Sequence, residues 1–322
     1  MKDNLKKVVV IGGGSGSSVA LRGLKKYDID ITAIVTMFDS GGSTGILRDE
    51  FGYPSFGDLR QCLLALANDK NDKVSALKKV LDFRFDSNSS LRGHSVGNLI
   101  MAALTTENGN IQAAIDKISD ILLIEGQVVP VTLDDANLCA KLLNGEVIYS
   151  ESSIDLRDSN LPAIAELFLD KNVLANPSAI QSIKNADVIL LGPGDLYTSI
   201  IPNLLLDEIT LAIKNSSAPI IFACNLMTKY GETYGYAASK FSSEIVRYLN
   251  GRMIDFLLVN SMEFPSSILE NYDLEKAKPV SFDEKKIIKF CNNIVYDNFA
   301  FIEGKKVRHD SKKLSEFVIS KL

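Results

Sequence analysis

The sequence predicts an α/β fold with a mainly parallel sheet and helices on both of its faces. Three observations predict it: short β-branched runs alternate with helical patterns, these runs are apolar throughout, and glycine-rich loops follow them. Strands that are apolar along their whole length are typical of parallel sheets covered on both faces. The 322 residues are 46% hydrophobic, which excludes a disordered chain. Because no repeat or linker divides them, we expect a single domain over 1–322.

The first half of the chain opens with two strands that each run into a glycine loop. Val8–Ile11 is followed by Gly12–Gly16 and a helix over Ser17–Lys26, and Ile31–Phe38 is followed by Asp39–Ser43. This order of strand, glycine loop and helix is Rossmann-like. A helical insertion then interrupts the alternation, with helices expected at Leu59–Ala67, Val74–Phe83, Val96–Thr105 and Ile111–Leu122.

A β-hairpin is predicted after the strand Val128–Thr132. Leu138–Leu142 and Glu146–Ser150 flank Asn144-Gly145, a pair typical of a type I′ turn, and these strands would make the sheet mixed. Alternation then resumes up to a less regular C-terminal part. The expected helices are Ser178–Lys184, Asp207–Asn215 and Ala237–Leu249, and the expected strands are Val188–Leu191, Ile220–Cys224 and Phe256–Val259.

Composition excludes several classes of protein. The net charge of -5 gives no basis for binding nucleic acid, and apolar runs such as Ile200–Leu206 are far shorter than the ~20 residues that span a bilayer. The four cysteines form no C-x-x-C pair, which predicts reduced core thiols and no zinc site. We therefore expect a cytoplasmic protein with no membrane span and no nucleic-acid partner.

The first two glycine loops are candidate ligand sites. Glycines in Gly12–Gly16 let backbone N–H groups approach a phosphate, to which the next helix adds its dipole, although Ser17 breaks the strict G-x-G-x-x-G pattern. Asp39 ends the second strand, where a Rossmann-type site contacts a ribose, and Gly41–Ser43 suggests close approach to a ligand or metal. The alternatives are a tight turn for the first loop and an Asx-turn for the second.

Two later loops offer further donors. His94–Asn98 opens a helix, where an imidazole and an amide suit an anionic substrate, although a single histidine is more often structural. Gly192–Gly194 and Tyr197–Ser199 supply open backbone and hydroxyl groups, or else a rigid turn with capping hydroxyls. The arginines whose guanidinium groups could bind phosphate are Arg48, Arg60 and Arg84.

Eight sequence blocks run in a fixed order over residues 8–265. They are VVVIGGGSGSSVALRGLKKY from Val8, ITAIVTMFDSGGSTGILRDEFG from Ile31, FGDLRQCLLALAND from Phe56, FRF from Phe83, GHSVGNLIMAAL from Gly93, LLGPGDLYTSIIPNLL from Leu190, CNLMTKYGETYGY from Cys224 and VNSMEFP from Val259. In this combination they resemble the gluconeogenesis factor family of the CofD-like superfamily.

The resemblance implies a Rossmann-like site for a nucleotide sugar, with UDP-N-acetylglucosamine as the ligand of the gluconeogenesis factor branch. That branch is linked to growth on gluconeogenic carbon, to cell shape and to cell-envelope precursors, without a settled reaction. The protein would be a metabolic sensor or a transferase of phosphate-linked groups. The related 2-phospho-L-lactate transferases imply an alternative, transfer of phospholactate to a deazaflavin acceptor, in which Asp39 holds Mg²⁺ and the candidate catalytic residue His94 lies near the reacting phosphate.

The resemblance also assigns ligand-binding residues. Gly12–Gly16 would surround the diphosphate, and Asp39 would match the first acid of the family's D-D-G-G or D-N-G-G loop. Ser40 departs from the family's second acid or amide, which weakens metal binding there. The expected ligand-binding residues are Gly12, Gly13, Gly14, Ser15, Gly16, Asp39, Ser40, Gly41, Gly42, Ser43, Asp58, Arg60, His94, Ser95, Asn98, Gly192, Pro193, Gly194, Tyr197, Thr198, Ser199, Asn225 and Thr228. No required cofactor is implied, and a homo-oligomer is left open.

Overall fold

The computed structural model describes residues 5–53, 55–86, 90–158 and 160–322. The strands are β1 (Lys7–Gly12), β2 (Asp30–Val35), β3 (Gln127–Pro130), β4 (Leu138–Leu142), β5 (Val147–Tyr149), β6 (Ile164–Leu169), β7 (Val188–Leu191), β8 (Ile220–Ala223), β9 (Ile254–Asn260), β10 (Cys291–Asp297), β11 (Ala300–Glu303) and β12 (Lys306–His309).

Helices connect most of these strands. They are α1 (Ser15–Leu24), α2 (Gly42–Phe51), α3 (Gly57–Leu66), α4 (Asp72–Asp82), α5 (Val96–Asn108), α6 (Ile111–Leu122), α7 (Glu151–Asp155), α8 (Pro177–Lys184), α9 (Asp207–Asn215), α10 (Ala238–Tyr248), α11 (Ser266–Leu274), α12 (Glu284–Ile287) and α13 (Ser311–Ile319). Asn71, Asn110 and Asp310 cap α4, α6 and α13, because their side-chain oxygens accept N–H groups of the first turn. The four helices of the insertion predicted from sequence are confirmed as α3–α6.

Within the described residues, seven strands form one sheet in the order β3-β2-β1-β7-β8-β9-β10, and every neighbouring pair is parallel. The chain moves outward from β1 in one direction and outward from β7 in the other. Because crossovers between parallel strands are right-handed, α1 covers one face and α9 and α10 cover the opposite face. The predicted Rossmann-like α/β class is confirmed.

Burial of apolar side chains stabilises the strands at the centre of the sheet. Val8–Ile11, Val188–Leu191 and Ile220–Phe222 are each at most 1% exposed, so these runs pack helices on both faces. Each such side chain contributes roughly 1.5–3 kcal/mol on burial. The apolar runs read from the sequence therefore mark the middle of the sheet.

The predicted mixed sheet is wrong. β4 pairs antiparallel with β5 and with β6, and these strands form a separate three-stranded sheet. The hairpin itself is confirmed, but its turn is not type I′, which requires positive φ at both central residues. Gly145 has a φ of +88°, whereas the residue before it is not among the positive-φ residues of the described chain. Asn144 Oδ1 instead accepts the Glu146 N–H at 3.1 Å, an Asx-type contact.

The C-terminal part is more regular than its sequence suggests. β10 extends the main sheet beside β9, and β11 and β12 form an antiparallel pair. α13 packs on α1, where the helices meet at Gly23. The four cysteines are buried thiols, as predicted. No single helix in the described ranges has the length and apolarity to cross a bilayer, and Leu196–Leu205 with Asp207–Asn215 meets that test only as a pair bent by 83°.

We predict that Gly23→Ala destabilises the protein. A Cβ at Gly23 would lie 2.3 Å from the backbone oxygen of Ser311, so α13 must shift away from α1. Over-packing of this kind costs about 1–3 kcal/mol, against a helix-propensity gain of about 1 kcal/mol. Because the clash is with a backbone oxygen, the cost lies at the upper end of that range, and urea unfolding should show a free energy of unfolding lower by about 2 kcal/mol. Arg22→Ala, at an exposed position of the same helix, is the control and should change it little. An unchanged midpoint for Gly23→Ala would contradict this docking.

Candidate functional site

A cleft of about 620 Å³ lies at the carboxyl edge of the main sheet. The strand order changes direction between β1 and β7, and in doubly wound sheets ligands bind in the crevice at this switch point. The volume is typical of small-molecule sites. The cleft brings together eight of the residues predicted from sequence, namely Ser15, Gly16, Asp58, Pro193, Gly194, Ser199, Asn225 and Thr228.

The first glycine loop packs tightly against its neighbours. A Cβ at Gly16 would lie 2.1 Å from the carbonyl oxygen of Pro193, and one at Gly14 would lie 2.7 Å from Cα of Asp58. These glycines are therefore required for the approach of two other segments of the chain. Because Gly14 has no side chain to cap α1, the positive end of the helix dipole is left at the cleft.

Asp58 occupies part of the space over the glycine loop. Its carboxyl group accepts a hydrogen bond from the Gly14 backbone, and a Cβ at Gly13 would lie 2.8 Å from Oδ2. Burial raises the pKa of Asp58 to about 7, and the nearby charge of Asp39 adds to the shift. A carboxyl group thus contacts Gly13 and Gly14, and the part of the loop that lines the cleft is Ser15 and Gly16.

A lysine surrounded by three carboxylates forms one wall of the cleft. Lys229 Nζ lies 2.7 Å from Asp195 Oδ2 and 3.1 Å from Glu232 Oε1, and it also contacts Asp155 Oδ1. Burial lowers the pKa of the Lys229 ammonium, but the three carboxylates together raise it by more, so the net shift is upward. Lys229 is therefore charged at neutral pH.

Two predicted residues, Tyr197 and Thr198, hold Glu232 beneath the cleft. The Tyr197 N–H donates to Glu232 Oε2 at 3.2 Å, and Thr198 Oγ1 donates to Oε1 at 3.0 Å. Burial raises the pKa of Glu232 to about 8, which the charge of Asp195 reinforces and the Lys229 ammonium opposes. Both residues are buried and absent from the cleft lining, as is Glu232, so they position a carboxyl group that lies behind Lys229.

Asn225 is the predicted residue with an unused polar atom in the cleft. Its Nδ2 donates to the Gly194 carbonyl oxygen at 2.9 Å, whereas Oδ1 is buried and has no hydrogen-bond partner among the described residues. Thr228 also lines the cleft, but its hydroxyl accepts the Lys278 N–H at 2.9 Å. Asn225 thus carries an acceptor that no group of the described residues uses.

The second glycine loop lies beside the cleft and outside its lining. Asp39 Oδ1 accepts the Gly41 N–H at 2.8 Å, which is the Asx-turn alternative. Ser40 Oγ accepts the Ser152 N–H at 3.0 Å and so contacts α7. Burial raises the pKa of Asp39, and burial followed by the charge of Asp39 raises that of Glu151 to about 8. This loop joins the main sheet to the segment after the hairpin, and Gly42, with a φ of +50°, starts α2.

The predicted arginines and the His94 loop form an internal network. Arg60 is buried, and its guanidinium donates to Asn98 Oδ1 at 3.1 Å and to Asp82 Oδ1 at 2.5 Å. Ser95 Oγ accepts the Asn98 N–H at 3.2 Å and thereby caps α5. His94 is buried beside this cap, and its Nδ1 has no partner among the described residues.

The other two arginines are also paired within the chain. Arg48 pairs with Asp135 at 2.7 Å, and Arg84 donates to Ser43 Oγ at 3.4 Å. Together with Arg60, these cations bind groups of the protein itself and are absent from the cleft lining.

The divalent metal implied by the transferases was tested against the carboxyl groups of the described chain. There, Asp155, Asp195 and Glu232 are the group whose carboxylate oxygens lie within 4.8 Å of one another. Lys229 already contacts all three, so this group does not fit a metal ion. Asp39 lies outside the group, and its role as a Mg²⁺ ligand stays a prediction.

Sequence reasoning missed several residues of the cleft wall. Lys229 and Glu232 lie in the block from Cys224. The available signal for them was a lysine and a glutamate three residues apart after a predicted buried strand. Asp155 gave no signal, because it follows the hairpin. His309 lies beyond the resembling blocks; its Nε2–H donates to the Cys224 carbonyl oxygen at 3.0 Å, and burial lowers the pKa of its imidazole to about 4.

Comparison with known proteins places the chain in a family. The CofD family profile, described as 2-phospho-L-lactate transferase CofD, matches residues 8–300. A relative from Thermoanaerobacterium thermosulfurigenes is 41% identical over 322 residues, covering 99% of this chain and 98% of that protein. The gluconeogenesis factor of Bacillus subtilis is 35% identical over 316 residues, covering 98% of both chains.

A solved structure agrees with the fold described above. The crystal structure of a Bacillus halodurans protein superimposes with a TM-score of 0.92 at 37% identity, covering 98% of this chain and all of that one. Similarity of sequence and of structure thus extends over nearly the whole chain. The chain therefore belongs to the CofD family, and its full-length relatives in that family include gluconeogenesis factors.

Proposed function

We propose that this protein binds a nucleotide sugar, UDP-N-acetylglucosamine, in the cleft between the β1 and β7 loops. The observation that carries the proposal is a cleft of about 620 Å³ at the switch point of the sheet, with Ser15 and Gly16 at the start of α1 in its lining. As in the gluconeogenesis factor branch, the protein would act in the cytoplasm and link carbon metabolism to the supply of cell-envelope precursors and to cell shape. Buried thiols are compatible with a reducing compartment.

The cleft offers a separate group for each part of such a ligand. The backbone of Ser15 and Gly16 at the start of α1 suits the diphosphate, as helix N-termini bind phosphate through N–H groups and the dipole. Arg308 also lines the cleft and supplies a cation, whose side chain is 45% exposed and lies 4.0 Å from Glu303 Oε2. Asn225 Oδ1 accepts a hydrogen bond, which suits the N–H of a uracil ring or an acetamido group.

Charge in the cleft sets a condition on binding. Asp58 and Asp195 line the same cleft, and ionised carboxylates repel a diphosphate. Lys229 compensates part of this charge, and burial keeps Asp58 protonated for part of the time near neutral pH because its pKa is about 7. The cleft is therefore a better anion site below neutral pH than above it.

The alternative within the family is the reaction of the 2-phospho-L-lactate transferases, transfer of 2-phospho-L-lactate. The acceptor that the resemblance implies is a deazaflavin, which is a large planar ring system and differs in shape from a nucleotide sugar. Binding experiments with the two ligand classes separate these functions, because only the transferase alternative needs an acceptor.

We predict that UDP-N-acetylglucosamine stabilises the protein. A ligand at 100 times its Kd raises the free energy of unfolding by about 2.7 kcal/mol, which a thermal shift assay detects. Calorimetric titration should give one site per chain. UDP should compete for the same site with lower affinity, because it lacks the sugar. No shift at millimolar ligand would overturn the proposal, and saturable binding of a deazaflavin with Mg²⁺-GDP would favour the transferase.

We predict that Asn225→Ala weakens ligand binding about twofold to tenfold. The variant removes the buried acceptor, and one hydrogen bond is worth about 0.5–1.5 kcal/mol. Asn108→Ala is the matched control, since Asn108 Nδ2 also donates to a backbone oxygen, that of Leu104, but far from the cleft. Calorimetric titration measures both. Equal loss of affinity in the two variants would argue against a direct contact at Asn225.

We predict that affinity falls about tenfold between pH 6 and pH 9. The pKa values of Asp58 and Glu232 are raised by burial to about 7 and about 8, so both groups ionise over this range and add negative charge beside the diphosphate. Asp58→Asn should flatten the lower part of the profile and tighten binding at pH 8. Asp187→Asn, which removes a carboxylate paired with Lys6 outside the cleft, should leave the profile unchanged. A profile that rises with pH would contradict the assignment.

A further inference from the structure

Lys229 contacts three carboxylates of the protein with its ammonium group. Its Nζ donates hydrogen bonds to Asp155 Oδ1 and Asp195 Oδ2, and it lies 3.1 Å from Glu232 Oε1. The side chain lines the cleft, yet these contacts of its ammonium group are all made within the protein. Its role therefore differs from that of an anion-binding lysine.

The three carboxylates come from separate parts of the chain. Asp155 ends α7, Asp195 lies in the loop after β7, and Glu232 lies in the loop after β8, so the cation contacts three segments that are distant in the sequence. Their oxygens lie within 4.8 Å of one another, a spacing suited to a cation. Divalent metals commonly join carboxylates from different loops in this way.

The position of the ammonium is fixed by the backbone of its own loop. The Lys229 N–H donates to Thr233 Oγ1 at 3.0 Å, and the Lys229 carbonyl oxygen accepts the N–H groups of Glu232 at 3.2 Å and Thr233 at 2.9 Å. This turn brings Lys229 and Glu232 together. Tyr197 and Thr198 hold the Glu232 carboxyl group from the other side. The lysine and the most buried of its carboxylates are thus held before any ligand arrives.

We propose that the Lys229 ammonium is a resident cation that takes the place of a divalent metal at this group of carboxylates. The group then needs no metal ion, and loss of the lysine turns it into a metal site. This inference rests on the contacts of Lys229 and does not depend on the identity of the ligand.

The test uses Mn²⁺ alone as the probe. Lys229→Met should bind one Mn²⁺ more per chain than the unchanged protein, as counted by calorimetric titration or by electron paramagnetic resonance of free Mn²⁺. Adding Asp195→Asn to this variant should abolish the extra site. In EDTA, Lys229→Met should melt at a lower temperature than the unchanged protein, and Mn²⁺ should restore at least half of the loss.

Lys240→Met is the matched control, because Lys240 also pairs with a buried carboxylate, Glu244 at 2.6 Å, in a helix away from the cleft. It should gain no Mn²⁺ site and no Mn²⁺-dependent stability. If Lys229→Met binds no more Mn²⁺ than the unchanged protein, the inference is overturned.

A second measurement applies if Lys229→Met does not fold. The unchanged protein and Asp195→Asn should bind the same number of Mn²⁺ ions, because the lysine already fills the group. Loss of a Mn²⁺ site in Asp195→Asn would show that the unchanged protein uses these carboxylates for metal, and would overturn the inference.

Discussion

The close approach of Gly16 to the Pro193 carbonyl oxygen determines how the loops after β1 and β7 meet. A single added Cβ at Gly16 would come within 2.1 Å of that oxygen, so the two loops touch through backbone atoms. Hydrogen bonds at Gly12 hold the same region together. The Gly12 carbonyl oxygen accepts the Thr36 N–H at 3.0 Å and a hydrogen bond from Asn203 Nδ2 at 3.2 Å. The depth of the cleft and the direction of α1 both follow from this contact.

Cations near the cleft are largely committed to the protein's own carboxylates. Lys229 joins three segments, Arg60 joins α3 to α4 and α5, and Arg48 joins α2 to Asp135. Binding of an anion then depends on helix dipoles, backbone N–H groups and exposed cations such as Arg308.

The sheet and its ligand edge could be predicted from the sequence because both depend on local patterns. Wholly apolar runs marked the buried strands, and glycines marked the loops at the carboxyl edge. Eight residues of the cleft lining were predicted with those loops, but Asp155 and Lys229 were not, since their place in the cleft depends on a contact between residues distant in the sequence. A glycine in a loop indicates only that another group comes close to the backbone there. At Gly14 and Gly16 that group is another segment of the protein, and the sequence alone cannot distinguish this from contact with a ligand.

The hairpin formed by β11 and β12 has a consequence for the order of events during synthesis. Val307, Arg308 and His309 line the same cleft as Ser15 and Gly16, so residues almost 300 positions apart in the sequence meet across it. Translation delivers the glycine loop long before this hairpin. A ribosome-bound chain that has already formed its central strands would still have an open site, and full affinity for a ligand would be acquired only after the hairpin has emerged and docked.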